Sequence, residues 1–272
     1  MNNLLLYLYV LTVLGPFALS KHTNVTKDLE PLIYKGYEVG IHDYSYACFL
    51  HFKTTRPTSC GASLIMVQAV LTAAHCMDDI RIKSGEIHAF FGSNVPKDSS
   101  VIRRVGNYEI NPKYNEVNGK NNLAVAFLDY RVPLRQGIKK IPLSIRDPVP
   151  RTDLFSVGWG KQSLEKLGDF SSRRSLKATK QEIMTQQECR QITGYNVGGG
   201  TLCCVPIIGN NHKDDAGNGL VTSQPQILVG VLSYIADGYS VYTGVAVHRD
   251  WIIKACKRLY RADCFENKNH HE

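Results

Sequence analysis

Residues 71–76 read Leu-Thr-Ala-Ala-His-Cys, and residues 60–65 before them read Cys-Gly-Ala-Ser-Leu-Ile. This stretch places the imidazole of His75 beside a cysteine, at the end of a run of small and apolar residues. A zinc site is the weaker interpretation, because the chain has no Cys-x-x-Cys pair and no histidine at zinc-ligand spacing from a cysteine. We therefore expect neither a metal nor another cofactor.

The sequence on both sides of His75 consists of short apolar runs separated by Gly, Pro and Asn. The clearest runs are residues 46–52, 87–91, 123–128, 154–159, 227–234 and 241–247. This many short strands predict an all-β protein, either a barrel or a sandwich. One helix is expected at residues 251–261, where Trp251, Ile252, Ala255 and Leu259 fall on one side.

The composition is that of a globular protein, with 272 residues of which 43% are hydrophobic and 21% are charged. It excludes disordered, collagen-like and polytopic membrane chains. Lys and Arg number 32 against 24 Asp and Glu, and the resulting net charge of +8 favours anionic surfaces. No run of five like charges occurs, so we expect no nucleic-acid partner.

The first 20 residues have the pattern of a signal peptide. Residues 4–14 form an uncharged, mostly apolar stretch too short to span a bilayer, and residues 18–20 provide a small-x-small end. An uncleaved anchor is the alternative, because no Lys or Arg precedes the apolar stretch. We expect a secreted, extracellular protein without a transmembrane segment. Residues 21–32 follow as a polar segment, in which Asn24 is the only N-glycosylation site by sequence.

Short motifs follow one another along the chain at residues 60–65, 71–76, 121–125, 158–160, 215–217, 233–234, 241–243 and 251–252. Taken together, and in this order, they resemble the motifs of the trypsin/chymotrypsin-like serine protease family. The resemblance covers residues 33–258, and residues 259–272 are expected to form a C-terminal tail. It implies two six-stranded antiparallel β-barrels with a cleft between them, followed by a C-terminal α-helix.

The resemblance places His75, Asn122 and Ala216 at the three catalytic positions. Acyl transfer in this family needs a hydroxyl nucleophile, an imidazole base and a buried carboxylate that orients the imidazole. Ala216 has no hydroxyl, and loss of the serine lowers turnover by on the order of 10⁶. Asn122 is neutral and can hold the wrong tautomer of the histidine, an effect of about 10⁴. The chain therefore resembles a catalytically inactive homologue in which His75 is a remnant.

The residues around the nucleophile position also depart from the family pattern. Asp214 replaces a glycine of the oxyanion-hole region, so a carboxylate lies where negative charge would develop. Asn210 is expected at the floor of the specificity pocket, where it offers no charge for a Lys or Arg side chain. Ile235, which follows Ser233 and Tyr234 on the substrate-backbone strand, is expected to fill part of that pocket.

Activation in this family requires a cut after Arg or Lys, which frees an Ile whose amino group pairs with the acid before the serine. Here Leu32 precedes Ile33, so no trypsin-type cut is encoded. Asp215 retains the acidic side chain that the family has immediately before the serine. Either it is an unpaired acid in an exposed loop or another group is its partner, for which Lys35 is a candidate.

Eight cysteines fit an oxidising compartment. The resemblance implies that Cys60 pairs with Cys76 and that Cys189 pairs with Cys203. The family's pocket disulfide cannot form, because His212 replaces one of its cysteines. The remaining four allow three connectivities and are Cys48, Cys204, Cys256 and Cys264.

The leading hypothesis is a secreted, non-catalytic serine protease homologue that acts by binding. Homologues of this kind serve as cofactors, decoys or regulators in extracellular protease networks, in immunity and in reproductive fluids. The expected partners are other secreted proteins, including active serine proteases and their substrates.

Two alternatives stay open. The first is a polyanion-binding module, because four basic residues recur at i, i+3, i+4 and i+7 on the C-terminal helix and would meet a sulfated glycan. This basic stripe consists of Lys254, Lys257, Arg258 and Arg261. The second is a residual hydrolase with an unusual nucleophile, for which Ser233 is the only serine that the resemblance brings near the cleft.

Overall fold

A computed structural model describes residues 36–54, 58–78, 85–160, 175–194 and 199–269. The predicted signal peptide, residues 21–32 with Asn24, and Lys35 lie outside these described residues.

The first barrel is built from six antiparallel strands that close in the order β2-β3-β4-β7-β6-β5. Its strands are β2 (Ala47–Lys53), β3 (Thr58–Met66), β4 (Ala69–Thr72), β5 (Glu86–Phe91), β6 (Val101–Ile110) and β7 (Ala124–Leu128). Every residue of β4 and β7 is buried, so these two strands supply a continuous apolar wall of the core.

The second barrel closes in the order β8-β9-β10-β13-β12-β11, because β8 pairs with both β9 and β11. Its strands are β8 (Asp153–Gly158), β9 (Lys177–Ile183), β10 (Thr201–Ile208), β11 (Gly219–Val221), β12 (Leu228–Ala236) and β13 (Tyr239–Gly244). A short strand, β1 (Tyr37–Glu38), adds to the edge of β9. The predicted pair of six-stranded antiparallel barrels is confirmed.

Within the described residues, three α-helices accompany the barrels: α1 (Ala74–Asp78), α2 (Gln186–Thr193) and α3 (Arg249–Asn269). The apolar side of α3, with Ile252, Ala255 and Leu259, packs into the main core cluster and contacts β6 and β7. The helix begins two residues before the predicted span of 251–261 and continues eight residues beyond it. The predicted tail from residue 259 is therefore helical as far as Asn269.

Two strands that the apolar pattern missed are β6 and β9. Most residues of β6 are half-buried or exposed, including Arg103 and Arg104, so its sequence lacks an apolar run. On β9 the barrel interior receives polar side chains, since Thr179 and Gln181 are fully buried. Gln181 Nε2 donates to Thr179 Oγ1 at 2.9 Å, and this hydrogen bond permits the burial.

Candidate active-site cleft

His75 and Asn122 meet between the start of α1 and the loop that leads into β7. The Asn122 Oδ1 accepts a hydrogen bond from the His75 backbone N–H at 3.0 Å, and the Asn122 Nδ2 lies 2.8 Å from His75 Nδ1. Because the backbone N–H can only donate, it fixes the orientation of the amide. The Nδ2 then donates to Nδ1, which must carry the lone pair, so the ring proton is on Nε2.

This tautomer is the reverse of the one that acyl transfer needs. A general base must present an unprotonated Nε2 to the nucleophile, with its Nδ1–H held by a carboxylate. Burial lowers the pKa of His75, and the hydrogen bond with Asn122 only partly opposes this effect. The imidazole is therefore neutral at pH 7, with Nε2–H able to donate and unable to accept a proton.

Ser233 on β12 is the second partner of the Asn122 amide. The Asn122 Nδ2 donates to Ser233 Oγ at 2.7 Å, and both residues are almost completely buried. The Ser233 hydroxyl therefore accepts a hydrogen bond from Asn122. A nucleophile activated by His75 would instead donate its hydroxyl proton to the imidazole.

Ala216 follows a 3-10 helix, Lys213–Asp215, and presents a methyl group that is 5% exposed. Its backbone N–H donates to the Lys213 carbonyl at 3.4 Å. The Asp214 backbone N–H donates to His212 Nδ1 at 3.3 Å. Both N–H groups expected to form an oxyanion hole thus have acceptors within the same turn.

Asp215 is buried, with its side chain held by three donors. Its Oδ1 accepts from the Gly160 backbone N–H and the Asn218 Nδ2, each at 3.0 Å, and its Oδ2 accepts from the His212 backbone N–H at 2.8 Å. Burial raises the pKa of Asp215 to about 6, although the hydrogen bonds from His212 and Gly160 favour the charged form. Of the two alternatives for this acid, the exposed and unpaired one is wrong.

Asn218 fills the space between the two barrels. An added Cβ on Gly61 would lie 1.7 Å from Asn218 Oδ1, and one on Gly158 would lie 1.8 Å from Asn218 Nδ2. These two glycines therefore allow the Asn218 amide to reach Asp215. The role of Asn218 as a partner of Asp215 was not foreseen from the sequence.

The region expected to form a specificity pocket includes the hairpin of β12 and β13. Ile235 and Ser240 are direct register partners, as are Ala236 and Tyr239. Paired residues of an antiparallel ladder lie only about 5 Å apart at their Cα atoms, so the two strands stay in contact up to the turn of the hairpin. Ile235 thus lies against its partner strand, in addition to packing on the apolar interior of the second barrel.

Asn211, the neighbour of the predicted floor residue Asn210, is buried and was not selected from the sequence. Its Nδ2 donates to Tyr242 Oη at 2.6 Å and to Ser240 Oγ at 3.1 Å. The predicted floor residue, Asn210, is half-buried and donates from Nδ2 to the Gly238 carbonyl in the hairpin turn at 2.8 Å. The Asn211 amide thus joins Ser240 and Tyr242 in a buried polar network.

A cleft of about 500 Å³ remains open beside His75 and Asn122. One wall is the loop between β6 and β7, including the strongly exposed Val117, and the other contains Lys213. The lining residues are His75, Tyr114, Glu116, Val117, Asn118, Gly119, Asn122, Lys213, Ser233, Tyr234 and Ile235. Its volume lies in the range of ligand-binding clefts.

Comparisons with known proteins identify the family. The model of the family described as Trypsin matches residues 33–252 of this chain. The chain belongs to the trypsin family.

Trypsin alpha of Drosophila melanogaster is 29% identical over 210 residues, which cover 74% of this chain and 79% of that protein. Hypodermin-B of Hypoderma lineatum is 26% identical over 243 residues, which cover 84% of this chain and 89% of that protein. A solved structure, the scabies mite inactivated protease paralogue S-D1, superimposes with a TM-score of 0.72 at 23% identity. That match covers 82% of this chain and 97% of the mite protein.

The disulfides agree with the pairs that resemblance to the trypsin family implied. Cys60 is bonded to Cys76 beside the cleft, and Cys189 is bonded to Cys203. The other four cysteines, Cys48, Cys204, Cys256 and Cys264, are free thiols, so none of the three connectivities left open is formed. Cys48 and Cys204 cannot pair, because they are buried in strands of different barrels.

The basic stripe lies on the solvent side of α3, where all four of its members are exposed. Arg258 is engaged by Glu109 of β6, to which its Nε donates at 2.9 Å, with a second contact from Nη2. This ion pair removes one charge from the predicted anion-binding face. Among the described residues no group of three or more metal-ligating side chains is assembled, and no helix is long and apolar enough to cross a membrane.

Proposed function

We propose that this trypsin-family chain is secreted and acts without catalysis, by binding another secreted protein in an extracellular protease network. One observation carries the proposal: the cleft is open, but the chemical groups beside it are unsuited to acyl transfer. Ala216 supplies no nucleophile, while the cleft beside His75 keeps a volume of about 500 Å³.

Two further features support the absence of turnover. The Asn122 amide holds His75 as the Nε2–H tautomer. The N–H groups of Asp214 and Ala216 are directed to acceptors of their own turn, and one missing oxyanion donor lowers turnover by about 10² to 10³.

The comparisons support this proposal in one respect and limit it in another. The mite protein of similar fold is described as an inactivated protease paralogue, whereas the fly relatives at 28–30% identity are named trypsins. The likeness to the mite protein extends to the fold only. The proposal therefore rests on the local chemistry of this chain.

The cleft has the character of a protein-binding surface. Val117 projects from the loop wall with 89% of its surface exposed, and Tyr234 and Ile235 add half-buried apolar surface. Glu116 and Lys213 contribute opposite charges to the same lining. An extended segment of a partner would find apolar contact and polar hydrogen-bonding groups side by side.

The catalytic part of the proposal is tested with a serine-directed fluorophosphonate probe and a broad peptide library. The full secreted chain should neither become labelled nor cleave any peptide. Labelling of this chain, or cleavage lost in a His75→Ala variant, would show that the protein is an enzyme.

The binding part is tested with a matched pair of variants. Val117→Arg alters the cleft wall, whereas Val149→Arg alters another exposed valine that does not line the cleft. A partner captured from the native fluid, once purified, should bind Val117→Arg at least about tenfold more weakly than the natural chain and bind Val149→Arg equally well. Equal affinity for all three proteins, or no saturable partner, would contradict a role for the cleft.

A further inference from the structure

His248 lies between two oxygen atoms that can only accept hydrogen bonds. Its Nδ1 is 2.7 Å from the Gly244 carbonyl, and its Nε2 is 2.9 Å from Asn121 Oδ1. A neutral imidazole carries one N–H, whereas an imidazolium carries two. Both contacts are therefore hydrogen bonds only when His248 is protonated.

The orientation of the Asn121 amide is fixed by a second contact. Its Nδ2 donates to the Lys113 carbonyl at 2.8 Å. Turning the amide over would place its oxygen against that carbonyl and leave a repulsive pair of acceptors. Asn121 also has a left-handed backbone with φ of 53°, a conformation that asparagine tolerates better than most residues.

The charges that act on His248 come from two neighbouring segments. Burial lowers the pKa of His248, the hydrogen bond with Gly244 and the charge of Asp147 raise it, and Lys113 lowers it. Asp147 lies between β7 and β8, and its buried Oδ1 has no hydrogen-bond partner among the described residues. Burial lowers the pKa overall, so His248 exchanges its proton at a pH below the ordinary histidine value.

Asn121 connects His248 to the wall of the cleft. It belongs to residues 111–123, here called the cleft loop, which joins β6 to β7 and supplies Tyr114, residues 116–119 and Asn122 to the cleft. Asn122 follows directly and carries the hydrogen bonds to His75 and Ser233. Loss of the His248–Asn121 hydrogen bond would free one anchor of this loop.

We propose that His248 is an acid-operated latch that holds the cleft loop in place when the imidazole is protonated and releases Asn121 when it is neutral. The consequence for a partner rests on the function proposed above, since a looser cleft wall would bind more weakly. The latch itself is a property of the free chain. Acidic conditions would thus favour the conformation described here.

Hydrogen exchange on the free, full-length chain tests the latch without any partner. Amide protection in the cleft loop, corrected for the intrinsic rate, should be about tenfold higher below the His248 midpoint than above it. The midpoint of this change should coincide with the NMR titration of the His248 Cε1 proton. Equal protection over the range from about pH 4 to pH 8 would overturn the proposal.

Two variants separate the latch from a purely structural role. His248→Gln removes the titration and should abolish the pH dependence of cleft-loop protection. Asn121→Asp tolerates the left-handed backbone and places a carboxylate on His248, so the titration midpoint should rise by about one unit. His88→Gln, on β5 and outside the loop, is the control. It should change neither the midpoint of the His248 titration nor the midpoint of the change in cleft-loop protection. A pH-dependent loop in His248→Gln would refute the latch.

These experiments distinguish failure of the latch from failure of the proposed binding function. A loop that responds to pH in a chain without a binding partner would leave the latch intact and contradict the binding role. A cleft loop that does not respond to pH, in a chain that binds its partner through Val117, would refute the latch and leave the binding role intact.

Discussion

Asn218 donates from its Nδ2 to Asp215 Oδ1 at 3.0 Å, in a site where both side chains are buried. With the backbone N–H groups of Gly160 and His212, the amide completes a set of three donors from the protein's own fold. In the trypsin family this acid awaits the amino group that a cut near the N-terminus liberates. Here its acceptors are already engaged by local groups.

We expect Asn218→Ala to lower the free energy of unfolding by about 2 kcal/mol at pH 7, because Asp215 loses a hydrogen bond to a charged acceptor. Urea unfolding measures the change. Asn107→Ala, at an exposed asparagine of β6, is the control and should stay within about 0.5 kcal/mol. Equal stability of the two variants would mean that Asn218 does not support the acid.

Gly158→Ala should destabilise the chain by about 3 kcal/mol, because its Cβ would overlap the Asn218 amide. The same change in an Asn218→Gly background should be much milder, since the overlapping atoms are gone. A double-mutant cycle in urea measures this coupling. Additive effects would show that the tight approach of Gly158 and Asn218 is unimportant.

The stability of the chain should depend on the titration of Asp215. Its pKa rises on folding from the ordinary value of 3.8 to about 6, so the folded state binds the proton more tightly. The protonated Asp215 carboxyl therefore adds to the free energy of unfolding. This contribution is about 3 kcal/mol in total, is fully present below pH 3.8 and is lost as the pH rises through about 6. Carbon-13 NMR of the carboxyl groups should show one buried aspartate with a midpoint near 6. Asp215→Asn should remove both this signal and its share of the pH dependence.

We expect Ala216→Ser alone to give no labelling by a fluorophosphonate, because His75 keeps its proton on Nε2. Ala216→Ser with Asn122→Asp corrects the tautomer and should react slowly. Rates should remain about 10² to 10³ below those of an active relative, since the Asp214 N–H is still bound to His212. Fast labelling of the single variant would show that the hydrogen bond to Asn122 does not control the tautomer.

The free cysteines should differ in reactivity. Cys264 is half-buried and should react with a thiol reagent in the native protein, whereas Cys48, Cys204 and Cys256 are buried and should react only after unfolding. Burial raises the pKa of Cys256 to about 11, which further suppresses its thiolate. A thiol count before and after unfolding without reductant should therefore rise from one to four. Fewer than four thiols after unfolding would indicate an additional disulfide.

The fold followed from the order of local motifs. The short apolar runs predicted an all-β protein, either a barrel or a sandwich. The resemblance carried by motifs such as residues 71–76 and 158–160 implied two antiparallel barrels, which the structure confirms. Strands such as β6 and β9 escaped prediction, because their polar residues face solvent or form hydrogen bonds inside the barrel. A search for apolar runs does not detect strands that contain such residues.

The sequence alone determined that residue 216 carries a methyl group and residue 122 an amide, because these are properties of single side chains. The resemblance to the trypsin family implied that these two residues occupy the nucleophile and carboxylate positions. Packing in three dimensions selected the tautomer of His75, the donors to Asp215 and the register that pairs Ile235 with Ser240. Those contacts join residues as far as 47 and 55 positions apart. Hydrogen bonds depend on distance and angle to within fractions of an ångström, and only the close-packed barrels bring such distant groups into that range.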